Sequence, residues 1–175
     1  MKNNAYYICQ AAAIAAVYAV LTIIFTPFSF GPIQCRISEM LTILPAFTSA
    51  AIPGLAIGCL LSNLLAGAPL PDVIFGTLAT LIGACFTRIL CRDVMPAVMS
   101  SGKISPSMRL RAVLPPILSN TVIVPLVLKY AYHFDEGLLF MVLTVCIGEI
   151  LSCGILGNVL LTVLSRKNFA ERFRG

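Results

Sequence analysis

The sequence predicts an all-α membrane protein of six transmembrane helices, and three observations predict it. Apolar residues make up 59% of the chain, and charged residues only 11%. A soluble domain has nearer half and a quarter. Four apolar runs also reach the roughly 20 residues that a helix needs to cross about 30 Å of hydrocarbon. The longest polar stretch, 92–111, is too short to fold separately, so residues 1–175 read as one integral membrane domain.

The first helix is expected at 6–26. Lys2 precedes an apolar run from residue 5 to 25, longer than the roughly 7–15 residues of a signal-peptide core. On it Ala11, Ala15 and Ala19 lie four apart, as do Ala12 and Ala16. That spacing makes a flat face that another helix can approach closely. Residues 37–66 would make a single helix of about 45 Å at 1.5 Å per residue, too long for one crossing. Pro53-Gly54 in the middle breaks it, so a hairpin of two short helices is expected at 37–50 and 53–66. Gly54 and Gly58 on the second of these form a small-residue patch for internal packing. Helices at 72–90, 110–130 and 138–164 complete the bundle, the last long enough to tilt.

With the N-terminus cytoplasmic, ten of the twelve Lys and Arg residues face inward: Lys2, Arg88, Arg92, Lys103, Arg109, Arg111, Arg166, Lys167, Arg172 and Arg174. Only Arg36 and Lys129 lie outside, as the positive-inside rule expects. A five-helix arrangement with an external N-terminus moves only Lys2 and Arg36; the length of 37–66 argues against it. Both termini are therefore expected in the cytoplasm of a multi-pass protein of the bacterial plasma membrane. The net charge of +5 suits the inner leaflet, and no aromatics interleave the basic residues as on a nucleic-acid surface. A nucleic-acid partner is not expected.

Polar residues gather at the outer half or at mid-depth. Arg36 and Glu39 open the second helix, Asn63 ends the third, and Asp72 starts the fourth after Pro71. Asn120 and Glu149 lie mid-helix in the fifth and sixth, and Asn158 lies further along the sixth. An unpaired carboxylate at the depth of Glu149 is costly, so it is neutral, paired or facing a wet cavity. Two readings stand for it: an ion pair with Arg36 that ties helices together, or a ligand site. Arg36 and Glu39, three apart, share a helix face and can pair locally or contact ligand. Asn63, Asn120 and Asn158 can each hydrogen-bond between helices or reach a ligand. Asp72 reads as a helix N-cap first and a site residue second.

Several chemistries are excluded. The seven cysteines are scattered without a Cys-x-x-Cys pair and read as packing residues, not a disulfide frame or zinc site. The lone His133 reads as a loop residue. No catalytic residue, metal or cofactor is expected: Gly-x-Ser-x-Gly, His-Glu-x-x-His and P-loop sequences are all absent, so this chain hydrolyses no ATP itself.

Phe30-Gly31-Pro32-Ile33-Gln34, Arg36-Ile37-Ser38-Glu39, Leu41-Thr42 and Leu44-Pro45 resemble the signature of the queuosine-precursor transporter (QueT) family. These are substrate-binding S components of energy-coupling factor (ECF) transporters. The likeness continues through Ala51-Ile52-Pro53-Gly54-Leu55, Asn63-Leu64-Leu65, Asp72-Val73-Ile74-Phe75-Gly76, Leu78-Ala79-Thr80-Leu81, Leu114-Pro115-Pro116 with Asn120, and Gly148-Glu149. Two positions depart from the family pattern, where Cys35 and Met40 stand in place of the usual Phe and Ala.

The resemblance implies an ECF S-component bundle of six helices that captures a 7-deazaguanine base from outside. Ligand-binding residues would be drawn from Glu149, Glu39, Arg36, Asn63, Asp72, Asn120 and Asn158, with Asp72 holding a cationic substituent at the mouth. It further implies that Ala11, Ala12, Ala15, Ala16 and Ala19 dock against a transmembrane coupling subunit, and that two separate ATPase subunits supply the energy. The alternatives are an S component for another vitamin or nucleobase, a membrane enzyme using Glu39 or Glu149, and a purely structural membrane subunit.

Overall fold

A computed structural model describes residues 2–29, 35–133, 135 and 137–166. Phe30–Gln34, the first block of the signature, and Lys167, Arg172 and Arg174 lie outside the described residues. The described residues are helical with no strand. The order is α1 (Lys2–Ile24), α2 (Thr26–Ser29), a 3₁₀ helix (Ile37–Ala46), α3 (Ala51–Leu65), α4 (Leu70–Leu90), α5 (Val94–Ser101), α6 (Pro106–Tyr130) and a long helix, α7 (Leu138–Leu164). Residues Ile150–Leu156 of α7 form a π-helical segment. Four helices, α1, α4, α6 and α7, are long and apolar enough to cross a membrane. Their outward faces carry large apolar side chains such as Ile24, Val122 and Leu139, which suits lipid rather than water.

The 3₁₀ helix is the centre of the bundle. From Ser38 to Ala46 every residue but Met40 is buried, and it touches α1, α3, α4, α6 and α7. A segment buried on all sides has no need of a lipid-facing stripe. Its ten residues span about 20 Å at the 3₁₀ rise, compared with the α-helix expected over 37–50. The chain turns at Phe47–Ala50, ahead of Pro53. Pro53 therefore sits in the first turn of α3, where its missing N–H leaves no bond unmade. Gly54 serves a contact instead: a Cβ there would come within 2.8 Å of the Ala11 carbonyl, and one on Gly58 within 2.8 Å of Tyr18 Cβ. The expected internal packing of this glycine pair is what the structure contains. It takes Ala11 and Ala15 into the α1–α3 contact; Ala19 is buried too, while Ala12 and Ala16 are exposed.

The α4–α6 crossing is equally close, with Gly83 facing Pro116. Pro116 lacks the N–H that would bond the Ala112 carbonyl. The Thr87 hydroxyl donates to that carbonyl instead, at 3.3 Å. The polar stretch before α6 holds α5, whose end is marked by Gly102 at φ +66°, a left-handed turn that glycine adopts without strain. Ser105 then caps α6, accepting from the Met108 N–H at 3.3 Å, so α6 begins one turn earlier than expected.

Candidate ligand-binding site

Two polar centres lie inside the apolar bundle. The first is an ion pair between Arg36, at the start of the 3₁₀ helix, and Asp72 in the first turn of α4, with Nη2–Oδ2 at 3.1 Å. The two side chains are 6% and 1% exposed. Burying such a pair is tolerable only when further hydrogen bonds serve the remaining atoms. The Tyr132 hydroxyl supplies one, donating to the same Asp72 oxygen at 2.8 Å, and Asn63 Nδ2 donates to the Asp72 carbonyl at 3.2 Å. Burial beside the Asp72 carboxylate raises the Tyr132 phenol well above its ordinary pKa. Gly76 makes the cluster possible, because a Cβ there would fall 2.9 Å from Asp72 Oδ1 and 3.2 Å from Asn63 Nδ2.

Two expectations are corrected here. Asp72 is not an N-cap: Pro69 holds that position, and the Asp72 side chain turns inward to the ion pair. The carboxylate that Arg36 meets is Asp72, not Glu39 or Glu149, because α4 starts beside the 3₁₀ helix and brings its first turn within reach.

The second centre is the pair Glu39 and Glu149. A carboxylate oxygen of each, with the Cys153 sulfur, lie within 4.8 Å of one another, all buried. Glu39 Oε1 accepts from the Tyr18 hydroxyl of α1 and lies 3.4 Å from the Thr80 hydroxyl of α4, while Glu39 Oε2 has no hydrogen-bond partner among the described residues. Asn120 Nδ2 on α6 donates to Glu149 Oε1 at 3.0 Å, and the Cys153 thiol lies 3.2 Å from Glu149 Oε2. Thr22 and Ser38 join hydroxyls alongside at 2.7 Å. Two ionised carboxylates this close in a dry interior repel strongly. They therefore require a shared proton, a cation, or a ligand that presents hydrogen-bond donors. The same three donors could ligate a metal only with the Cys153 thiol deprotonated.

Of the predicted site residues, Arg36, Asn63 and Asp72 meet in the first centre, and Glu39, Asn120 and Glu149 in the second. Asn158 joins neither. Its side chain donates along its own helix to the Gly154 carbonyl at 2.6 Å, so its bond is local, where a bond between helices or a ligand contact was expected. Tyr18, Thr80, Cys153 and Tyr132 were not anticipated. Spacing carried a signal for one of them, since Cys153 follows Glu149 by four residues on the same helix face.

A family profile described as QueT transporter matches residues 8–166. The chain belongs to the QueT transporter family. A stretch of 83 residues is 41% identical to the queuosine precursor transporter QueT of Lactococcus lactis subsp. cremoris (strain MG1363), covering 46% of this chain and 48% of that protein. The aligned part thus spans about half the length of this curated relative. No solved structure matches. Within a QueT bundle, the two polar centres sit on residues that carry the family resemblance: Arg36, Glu39, Asn63, Asp72, Thr80, Asn120 and Glu149.

Proposed function

We propose that this chain is the substrate-capturing S component of an ECF-type importer, and that its ligand is a 7-deazaguanine base, a queuosine precursor. The observation that carries this reading is the buried pair Glu39 and Glu149, with Glu39 Oε2 lacking a partner among the described residues. The edge of a guanine-like base presents a ring N–H beside an exocyclic amine. A carboxylate accepts both in paired, charge-assisted bonds, and a site built this way rejects bases lacking those donors. Glu39 offers its open oxygen to this edge, Glu149 supports it from α7, and Asn120 reads a further polar edge. Asp72 Oδ2 is held by Arg36 and Tyr132, while its Oδ1 has no partner among the described residues, which leaves it to hold a cationic substituent at the mouth.

In the proposed topology the chain crosses the membrane six times, with both termini cytoplasmic and the Arg36 end at the outer mouth. The 3₁₀ helix and α3 form the short hairpin between the first and fourth crossings. Transport then requires a coupling subunit and two ATPase subunits. The docking face is the exposed side of α1 at Ala12 and Ala16. An apolar groove of about 320 Å³ lies there, lined by Tyr7, Ala11, Ala12, Ala15, Pro53 and Ile57 among others. The test is Glu149→Gln in the purified full chain, titrated with a 7-deazaguanine base. The expected result is a clear loss of affinity, and unchanged affinity would remove Glu149 from the site.

A further inference from the structure

At the opposite end of α6 and α7 from the Arg36–Asp72 pair, a cleft of about 410 Å³ is lined by Gly102, Lys103, Ile104, Arg109, Thr162, Ser165 and Arg166. Three cations converge on it from two directions: Lys103 and Arg109 from the entry to α6, and Arg166 from the end of α7. Like charges gathered in this way repel unless an anion stands among them. A cation of the same region that does have its acid shows the contrast, since Arg111 Nη2 meets Asp93 Oδ2 at 2.7 Å.

No described carboxylate serves the cleft. Glu39, Asp72 and Glu149 are buried in the polar centres, Asp93 holds Arg111, and Asp135 lies in the connection at the far ends of α6 and α7. Arg109 is half-buried and fixed by Nη1, which donates to Thr162 Oγ1 at 2.9 Å and approaches the Asn158 carbonyl at 3.5 Å. Its Nε and Nη2 make no bond to the described residues, leaving donors in the fork geometry that suits phosphate. The Thr162 and Ser165 hydroxyls donate to the Asn158 and Leu161 carbonyls, so the three cations supply the donors of this cleft.

We propose that this cleft binds the phosphate of an anionic phospholipid headgroup. Its place at the ends of two membrane-length helices puts it at the depth of headgroups. The neighbouring Leu110, Val159 and Val163 are exposed and offer an apolar surface to the acyl chains. Basic pockets between helices at a cytoplasmic face recognise lipid phosphates in this way. The site does not depend on which base the polar centres take, so the two assignments fail separately.

The purified full chain in detergent is titrated with short-chain phosphatidylglycerol, with phosphatidylcholine of the same chain length, and with inorganic phosphate, read by native mass spectrometry. Phosphatidylglycerol is expected to bind at least about tenfold tighter than phosphatidylcholine, and each neutralised cation to weaken it about fivefold. Arg109→Gln tests the fixed cation. The pair Lys103→Gln and Arg166→Gln, both exposed, tests the site without disturbing the α6–α7 contact, and should leave base binding unchanged. Equal binding of the two lipids, or a preference for phosphatidylglycerol that survives all three substitutions, would overturn the proposal. Inorganic phosphate matching the anionic lipid in affinity would overturn its assignment to lipid.

Discussion

Replacing Glu39 by glutamine changes one buried carboxylate oxygen into an amide nitrogen and leaves the side chain's shape intact. The amide oxygen keeps Tyr18 and Thr80 as donors, since both now meet Oε1. The new –NH₂ takes the place of Oε2, the oxygen without a partner among the described residues. In the account above, that oxygen accepts from the base. The substitution therefore removes one charge-assisted hydrogen bond, about 1.5–3 kcal/mol, and sets a donor against a donor, leaving a buried group unsatisfied at about 1–3 kcal/mol. The combined loss is about 2.5–6 kcal/mol, or roughly 10²–10⁴ in Kd. Unliganded stability should hold or rise, because a like charge beside Glu149 is gone. Calorimetric titration of the full chain in nanodiscs with a 7-deazaguanine base measures the first effect, and the thermal midpoint without ligand measures the second. A Kd within threefold of the parent would refute the reasoning, as Glu39 would then not touch the base.

Gly54→Ala places a Cβ 2.8 Å from a backbone carbonyl of α1, which cannot yield as a side chain does. It should cost about 1–3 kcal/mol, as overpacking does, seen as a lower thermal midpoint. Asp72→Asn leaves Arg36 buried without its counter-charge and should cost about 3–5 kcal/mol. Replacing both residues by apolar ones of similar size should cost less than that single change, as unfolding in graded detergent would reveal. Tyr132 has its pKa raised in the fold, so the native state holds its proton where the unfolded phenol, at about 10, loses it. Its contribution is complete below about pH 10 and lost as pH rises further. Tyr132→Phe should flatten the alkaline fall in thermal midpoint, and an unaltered profile would show that the phenol carries no linkage.

Much of the architecture was legible because long apolar runs leave few options. The helices near 72–90, 110–130 and 138–164 follow from length and hydropathy, and the break within 37–66 from length alone. The form of the break was not legible. Pro53-Gly54 invited a turn at that point, yet proline is harmless in a first turn, and Gly54 answers to the approach of α1. Nor could propensity foresee a ten-residue 3₁₀ helix. That form depends on burial against five neighbouring elements, which a single segment does not encode.

In the site, the costly residues were found by their cost: a carboxylate at mid-helix needs a reason, and Glu149 supplied one. Their pairing was missed. Arg36 had a carboxylate three residues away and takes one thirty-six residues away, because closeness along the chain does not decide who meets in a bundle. Tyr18 was invisible for a related reason. An aromatic in the middle of an apolar helix reads as packing until the opposing Glu39 is in place.

On this reading the buried carboxylate pair captures a base with a guanine-like edge. Its most direct test is a binding titration of the unmodified full chain against a panel: 7-deazaguanine bases, guanine, adenine, and vitamins of unrelated shape. The chain should bind a 7-deazaguanine base tightly and saturably with no turnover, and should show no comparable binding of adenine, whose edge lacks the paired donors. Equal affinity for adenine, or tight binding of an unrelated vitamin alone, would contradict it.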